Sequence, residues 1–220
     1  MTYQHQWQDG TDVNLPVGKV VCVGRNYAAH AKELGNSVPE APILFLKPAT
    51  ALVPLEPNFT IPSGRGSCHH ETEISLLIGS ALTGLVSEAE ARAAIAGMTL
   101  GLDLTLRDVQ NQLKQQGHPW EVAKAFDGAA PMGSFSPLPA TTNLADLSFT
   151  LTVNGDVRQQ GNSADMITGI VALLQFIATI FTLQPGDVVM TGTPEGVAAL
   201  NAGDELVLTS GGQSWATLVR

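Results

Sequence analysis

Apolar and polar positions along the chain form short runs that predict both strands and helices. Residues 147–161 alternate apolar and polar positions around Asn154 and Gly155, a pair that favours a tight turn, so they predict a hairpin. Other apolar runs predict strands at 19–24, 70–79, 99–106, 186–197, 203–210 and 213–220.

Helix signals occur between these strands. Ser87 is followed three residues later by Glu90, the pattern in which each side chain caps the backbone of the other residue. Asn26 is a candidate N-cap of a short helix that Gly35 closes. Helices are predicted over 26–35, 88–96, 107–117 and 163–181, the last of them apolar almost all round and therefore buried.

Glycine and proline recur in 36–42, 52–66 and 125–144, so these segments are predicted to be loops. Strands do not alternate regularly with helices, which favours the α+β class. No Gly/Ser linker divides the chain, and we expect a single domain over residues 1–220 with residues 1–16 at its periphery.

Composition narrows the classes of partner. Eleven basic residues stand against twenty acidic ones, and the net charge of -9 disfavours nucleic acid. The longest apolar run, 170–183, is too short to span a bilayer and contains Gln175, and the N-terminus lacks a signal-peptide pattern. We therefore expect no membrane association and a cytoplasmic location. Two cysteines, Cys22 and Cys68, are too few for a disulfide framework.

Three carboxylates occupy positions where charge is costly. Glu71 and Glu73 share one face of the predicted strand 70–79, about 6 to 7 Å apart. Asp103 interrupts the apolar run 99–106, where an unpaired charge would cost several kcal/mol. The three carboxylates form an oxygen-donor set that suits magnesium or manganese. A solvated strand edge is the alternative interpretation of Glu71 and Glu73.

A zinc site also remains open at this point. His69 has the same strand parity as Glu71 and Glu73, and zinc prefers nitrogen ligands. Cys68 and His70 have the opposite parity, so we expect neither to bind the metal.

Other polar groups could accompany a metal. His30 and Glu33 are three residues apart, so on a helix they can pair and orient the histidine to take a proton from water. A surface ion pair of little consequence is the alternative. Lys124 stands between apolar residues and is either catalytic or a surface lysine with a buried stem. Residues 191–196 could offer backbone amides to an anion or form an ordinary turn.

Taken together, these residues resemble the fumarylacetoacetate hydrolase family in its short single-domain form, which includes acylpyruvases and fumarylpyruvate hydrolases. The resemblance runs almost end to end and implies a mixed β-roll or sandwich with flanking helices, and a homodimer. The motifs that carry it are, in order, VCVGRNYAAHAKELG, ILFLKP, HHETEISLLIG, GLDLTLRDVQ, PWEVAKAFD, VNGDVRQQG and GDVVMTGTPEGV. Ala164 and Ala198 depart from the family pattern.

The resemblance also implies roles for individual residues. His30 and Glu33 would form a water-activating dyad on a lid element, residues 25–42, and Lys124 would lie beside the metal-bound oxygens. Arg107 would lie near the site without an assigned role. The implied ligands of Mg²⁺, with Mn²⁺ as the alternative ion, are Glu71, Glu73 and Asp103. The implied substrate-binding residues are Arg25, Gln110 and Thr193.

The implied function is a Mg-dependent hydrolase that cleaves a C–C bond in acylpyruvates, such as fumarylpyruvate or acetylpyruvate, to pyruvate and a carboxylic acid. Oxaloacetate could chelate the metal in the same way, so an oxaloacetate decarboxylase or keto–enol tautomerase is the alternative, followed by a related hydratase or isomerase. A non-catalytic metal-binding protein is the alternative outside enzymes. Loops 36–42 and 128–143 are expected to set the selectivity for the acyl group.

Overall fold

The computed structural model describes residues 3–220. The strands are β1 (Val20–Gly24), β2 (Ile43–Lys47), β3 (Leu52–Pro54), β4 (Asn58–Phe59), β5 (Cys68–His70), β6 (Thr72–Ile78), β7 (Ile95–Leu102), β8 (Thr105–Leu106), β9 (Ala130–Met132), β10 (Ser136–Pro137), β11 (Ser148–Val153), β12 (Asp156–Asn162), β13 (Val188–Met190), β14 (Ala198–Ala199), β15 (Glu205–Ser210) and β16 (Gln213–Val219). The helices are α1 (Ala28–Glu33), α2 (Glu88–Ala93), α3 (Arg107–Gln116), α4 (Glu121–Lys124) and α5 (Ile170–Ala178), with 3₁₀ turns at Ala49–Ala51 and Ser163–Asp165.

An eight-stranded mixed sheet forms the centre of the fold. Its order is β2-β1-β13-β6-β7-β9-β3, with β10 paired to β7. Every residue of β6 is buried, including the polar residues Thr72, Glu73 and Ser75. β1 pairs with β13 in parallel, whereas β6 and β7 are antiparallel neighbours. This pairing places the start of β6 beside the end of β7.

Two smaller sheets complete the architecture. A five-stranded sheet has the order β12-β11-β15-β16-β4, and its β11–β12 hairpin turns at Asn154 and Gly155, both with positive φ, as predicted. A three-stranded sheet has the order β14-β5-β8. It fixes β5, the segment that leads directly into β6.

The helix ends show which local signals were read correctly. Ser87 and Glu90 form the predicted capping box of α2, although the helix ends at Ala93 because Ile95 already begins β7. Tyr27, and not Asn26, occupies the N-cap position of α1. The predicted cap is wrong because the Asn26 amide is used elsewhere, donating to the carbonyl oxygens of Thr168 and Thr191.

Other predicted boundaries are also wrong. The predicted loop 52–66 contains β3 and β4. The predicted loop 125–144 contains β9 and β10, whose partners β7 and β3 lie far away in the sequence. The predicted helix 163–181 is helical only in α5 and in a 3₁₀ turn at its start. The predicted strand 186–197 is extended only in β13 and then becomes a loop.

The N-terminal segment, expected at the periphery, packs on this core through His5 and Val13, which are 0% and 2% exposed. Trp7 forms a bridge with Phe135. Within residues 3–220, no helix is long and apolar enough to cross a membrane.

Candidate metal centre and active site

Sheet pairing brings the three predicted carboxylates together. Glu73 lies in β6, and Glu71 lies in the single-residue break between β5 and β6. Asp103 directly follows β7, and its N–H donates to the carbonyl oxygen of Glu71 at 2.8 Å. Asp103 therefore ends a strand and does not interrupt one. Oxygens of the three carboxylates lie within 4.8 Å of one another, and all three side chains are buried.

Buried cations surround these carboxylates. Lys124, at the end of α4, donates to Glu71 Oε2 and to Asp103 Oδ2, each at 2.6 Å. Arg107, the first residue of α3, donates to Glu71 Oε1 and to Gln110 Oε1, the latter at 2.7 Å. Lys124 is thus a buried ionic partner and not a surface lysine, and Arg107 holds both Glu71 and a residue of the pocket.

Lys47 is a further cation of the site that sequence reasoning missed. It ends β2, it is 0% exposed, and its Nζ lies 2.8 Å from Asp103 Oδ1. It also donates to the carbonyl oxygens of Lys124 and, at 3.1 Å, of Ala129. The available signal was a lysine at the end of the apolar run ILFLK, where an unpaired charge would be costly.

The cations affect the three carboxyl groups unequally. Burial would raise the pKa of Glu71, but Lys124 and Arg107 hold it well below its usual range. Burial raises the pKa of Glu73 well above its usual value, and the Asp103 and Glu71 carboxylates raise it further. Glu73 accepts a hydrogen bond from Gly192 N–H at 2.6 Å, and within residues 3–220 no cationic side chain pairs with it.

These observations fit a divalent cation. Asp103 Oδ1 is buried. Although Lys47 Nζ lies 2.8 Å away, this oxygen accepts no hydrogen bond from any described residue. Glu73, unlike Asp103 and Glu71, lacks a cationic partner among the described residues that would keep it ionised in the interior. An all-oxygen set suits Mg²⁺ or Mn²⁺. The site is therefore a buried acidic metal-binding triad.

Nitrogen and sulfur ligands do not join the triad. Within residues 3–220 the group that could hold an ion contains only Glu71, Glu73 and Asp103. His69 stands outside it, which removes the His-Glu-Glu zinc site that strand parity allowed. His70 Nδ1 lies 3.1 Å from Gln159 Oε1, and Cys68 is buried in β5.

His30 and Glu33 lie on α1 as predicted, but Glu33 has two neighbours. His30 Nδ1 approaches Glu33 Oε2 at 3.5 Å, and it forms no hydrogen bond with a described residue. Glu33 Oε1 accepts a hydrogen bond from Gly196 N–H at 3.0 Å, which joins α1 to the Gly-Thr-Pro loop, residues 192–196. Burial lowers the pKa of His30, so its ring is neutral near pH 7.

A pocket opens over the triad. Lys124, His30 and all three predicted substrate-binding residues line it, whereas Glu33 does not. Lys114, a lining residue that the sequence reading did not select, belongs to α3. The predicted substrate-binding residues are Arg25, Gln110 and Thr193.

Gln159 holds one wall of this pocket and was also missed. From β12 it donates to Thr193 Oγ1 at 2.8 Å and to Pro194 O at 3.0 Å, and its Oε1 accepts from Thr72 N–H at 2.9 Å. Thr193 Oγ1 in turn donates to Thr72 O at 3.0 Å. Gln159 thus fixes the Gly-Thr-Pro loop against the start of β6.

Known proteins are similar to this chain in sequence and in fold. Oxaloacetate tautomerase YcgM of Escherichia coli (strain K12) is 51% identical over 220 residues, all of both chains. A structure of a fumarylacetoacetate hydrolase family protein from Yersinia pestis CO92 superposes with a TM-score of 0.96 at 45% identity, covering 99% of this chain and 100% of that one. The α+β prediction is therefore confirmed.

A third relative carries ligands. The structure of fumarylpyruvate hydrolase from Pseudomonas aeruginosa, in complex with Mn²⁺ and pyruvate, has a TM-score of 0.91 at 35% identity, covering 99% of this chain and 95% of that one. Residues 19–218 match the family described as "Fumarylacetoacetate (FAA) hydrolase C-terminal". From the match, the fold and the buried acidic triad, we conclude that the chain is a member of the fumarylacetoacetate hydrolase family and a metal-dependent enzyme.

Proposed function

We propose that this protein is a metal-dependent oxaloacetate keto–enol tautomerase. The observation that carries the proposal is its 51% identity, over the full length of both chains, to an oxaloacetate tautomerase. The fumarylpyruvate hydrolase relative is 35% identical. The comparisons therefore support the alternative that the sequence reading ranked second, ahead of the acylpyruvate hydrolase that it ranked first.

The reaction transfers a proton between C3 of oxaloacetate and its keto oxygen, and negative charge develops on that oxygen when the C3–H bond breaks. A divalent ion held by Glu71, Glu73 and Asp103 would act as a Lewis acid toward this charge. Burial alone would lower the pKa of Lys124, but Asp103 and Glu71 raise it above its usual range. Lys124 therefore remains an ammonium group that stabilises the enolate.

His30 is the base in this proposal. Its ring is neutral because burial lowers its pKa, so it can take the C3 proton and return it to oxygen in the enol-forming direction. The reverse steps form the ketone, and no atom is gained or lost. Glu33, 3.5 Å away, orients the ring, and Arg25, Gln110 and Thr193 hold the substrate in the pocket.

Acylpyruvate hydrolysis is the second candidate, and the same pair of residues favours it. His30 with Glu33 nearby could equally remove a proton from water, which would attack the distal carbonyl and break the C–C bond. The Pseudomonas relative shares the fold and is a fumarylpyruvate hydrolase. Pyruvate would then be a product, whereas tautomerisation releases none.

Purified protein with Mg²⁺ or Mn²⁺ should be given enol-oxaloacetate, acetylpyruvate and fumarylpyruvate in parallel. We expect the enol absorbance of oxaloacetate to decay rapidly without pyruvate release, and chelator to abolish the effect. A higher kcat/KM for cleavage of either acylpyruvate would reject the tautomerase. Pyruvate formed from oxaloacetate would instead indicate a decarboxylase, and no metal-dependent turnover of any keto acid would leave a non-catalytic metal-binding protein.

The base can be tested separately from the metal. His30→Asn should lower turnover by about 100- to 10,000-fold, the range for a positioned general base. Its affinity for Mn²⁺, measured by isothermal titration, should not change, because His30 is not a ligand in this proposal. Lys32→Gln, an exposed change on the same helix, is the control. Loss of metal binding together with activity would show that the assigned roles are wrong.

A further inference from the structure

Two cations of the pocket have no acidic partner. Lys124 and Arg107 line the pocket and pair with carboxylates of the triad. Arg25 and Lys114 line the same pocket, but neither forms an ion pair with any residue of the described chain, 3–220. In a protein with a net charge of -9, acidic partners are plentiful, so two unpaired cations at one pocket point to an anionic ligand.

Lys114 lies against an aromatic residue of the pocket wall, Trp120. It lies in α3, its side chain is half-buried, and its Nζ is 5.5 Å from the centre of the Trp120 ring. Trp120 packs edge to face with Phe45, with ring centres 6.2 Å apart, and both rings line the pocket. The aromatic face attracts the ammonium group and keeps it at the pocket instead of in bulk water.

The surroundings of Lys114 are strongly positive. Burial, together with the charges of Arg107 and Arg25, lowers its pKa to about 8. A bound carboxylate would relieve this repulsion and keep the ammonium group charged. The geometry, with Lys114 at the pocket wall and unpaired, agrees with that role.

The charges of the residues that line the pocket do not balance. The pocket lining contains the three carboxylates of the triad and four cationic side chains, so positive charge is in excess. A divalent ion would add to that excess, so a keto acid with a single carboxylate would leave it largely unbalanced. The cationic side chains are Arg25, Arg107, Lys114 and Lys124.

We propose that Lys114, together with Arg25, binds the second carboxylate of the substrate, so that the enzyme selects dicarboxylic 2-oxo acids over monocarboxylic ones. This inference rests on the proposed function, because the 2-oxo acid end of the substrate is assigned to the metal triad. The distal carboxylate then lies toward α3 and Trp120. Selectivity thus comes from a helix of the pocket wall. Of the loops 36–42 and 128–143 that were expected to set it, the first contributes Asn36 to the pocket lining and the second contributes no residue.

The test compares oxaloacetate with its 4-ethyl ester, which keeps the 2-oxo acid end and loses the distal charge. In Lys114→Met we expect kcat/KM for oxaloacetate to fall about 10- to 100-fold, as for loss of a charge-assisted hydrogen bond, mainly through KM. The ester should change by no more than about twofold. Lys114→Arg should restore the preference for oxaloacetate, and Arg158→Met, which removes an exposed charge on β12, should leave both substrates unchanged.

Inhibition by a ligand that is not converted separates binding from structural damage. Pyruvate lacks a distal carboxylate. Its inhibition constant against oxaloacetate should therefore be the same in Lys114→Met and in the wild type. Equal losses on oxaloacetate and ester, or weaker inhibition by pyruvate, would overturn the role of Lys114. An unchanged ratio of the two substrates would overturn it as well, while wild-type tautomerisation would leave the proposed function standing.

Failure of the proposed function gives a different result. If the wild type cleaves acylpyruvates and does not act on oxaloacetate, the tautomerase proposal falls. The same variants then decide on Lys114 with fumarylpyruvate, a dicarboxylate, and acetylpyruvate, a monocarboxylate. A loss in Lys114→Met confined to fumarylpyruvate supports the inference, and equal losses on both reject it.

Discussion

Lys47 places its ammonium group in the interior, between Asp103 and the backbone carbonyls of Lys124 and Ala129. Lys47→Met keeps a side chain of similar length but leaves Asp103 with one cation fewer. We expect the free energy of unfolding to fall by about 3 to 5 kcal/mol, the usual cost of breaking a buried ion pair on one side. Urea denaturation measures this loss.

Exposed Lys32 provides the control for that experiment, since Lys32→Met should change stability by no more than about 0.5 kcal/mol. Saturating Mg²⁺ should reduce the effect of Lys47→Met, because the ion would supply part of the missing positive charge beside Asp103. A loss no larger than that of the control would show that the buried pair contributes no net stability.

Single residues were predictable where their surroundings in the sequence were unsuited to them. Asp103 stood out because it interrupts an apolar run, and Glu71 and Glu73 because their spacing placed two charges together. Lys47 carried a local signal of the same kind, at the end of the apolar run ILFLK, and was missed. Gln159 did not stand out, since its partners lie far away in the chain. Contacts of this kind depend on packing, which no local pattern encodes.

The Gly-Thr-Pro loop acts as an element that supports the metal site. Gly192 has φ of +96°, its N–H binds Glu73, and an added Cβ would lie 2.7 Å from Asn26 Cβ. Gly203 also has φ of +96°, but no atom lies within 4 Å of its added Cβ. Alanine at either position would strain the backbone, but only alanine at Gly192 would also displace the loop.

Gly192→Ala should weaken Mn²⁺ binding about 10- to 100-fold, because Asn26 pushes the loop away and Glu73 loses its N–H donor. Gly203→Ala carries the same backbone strain, about 1 to 3 kcal/mol, and should bind Mn²⁺ as the wild type does. Isothermal titration gives both affinities. Equal affinities of the two variants would mean that the loop does not support the ligand.

Ends of elements were predictable where a short-range signal marked them. The capping box of α2 and the turn at Asn154 and Gly155 are such signals. The predicted loop 125–144 was wrong because β9 and β10 are short strands whose hydrogen-bond partners come from other parts of the sheet. Their prolines, Pro131 and Pro137, are tolerated there because tertiary pairing outweighs local preference.

The stability of the whole molecule should depend on pH through its buried histidines. His5 is 0% exposed, its Nε2 lies 3.0 Å from Gly186 O, and burial lowers its pKa below 6.5. The unfolded chain therefore binds protons at a higher pH than the folded protein does. Stability is fully present above about pH 6.5 and declines as the pH falls toward the lower pKa of the folded state.

Urea denaturation at about pH 7.5 and about pH 5.5 tests this dependence. His5→Gln should lose less stability between the two values than the wild type, since one of the buried histidines no longer titrates. His30, His69 and His70 act in the same direction, because burial lowers the pKa of each. An identical loss in wild type and variant would refute the contribution of His5.

At the scale of the molecule, the class of fold followed from the mixture of patterns, and the motifs in their order identified the family. The sheet order did not follow, since β1 pairs with β13 from the other end of the chain. The homodimer implied by the resemblance stays a prediction, which analytical ultracentrifugation would test.

The register of β6 and β7 is regular from Thr72 opposite Leu102 to Leu77 opposite Gly97, and it shifts only at Leu77 and Ile78. This irregularity lies at the end of the pair remote from Glu73 and Asp103. An insertion near Leu77 and Ile78 leaves the alternation of side chains intact near the carboxylates. One residue inserted beside Glu73 would instead turn the Glu73 side chain to the opposite face of the sheet. The β6–β7 pair can therefore change in length at this end during evolution, while the end that carries Glu73 and Asp103 keeps its geometry.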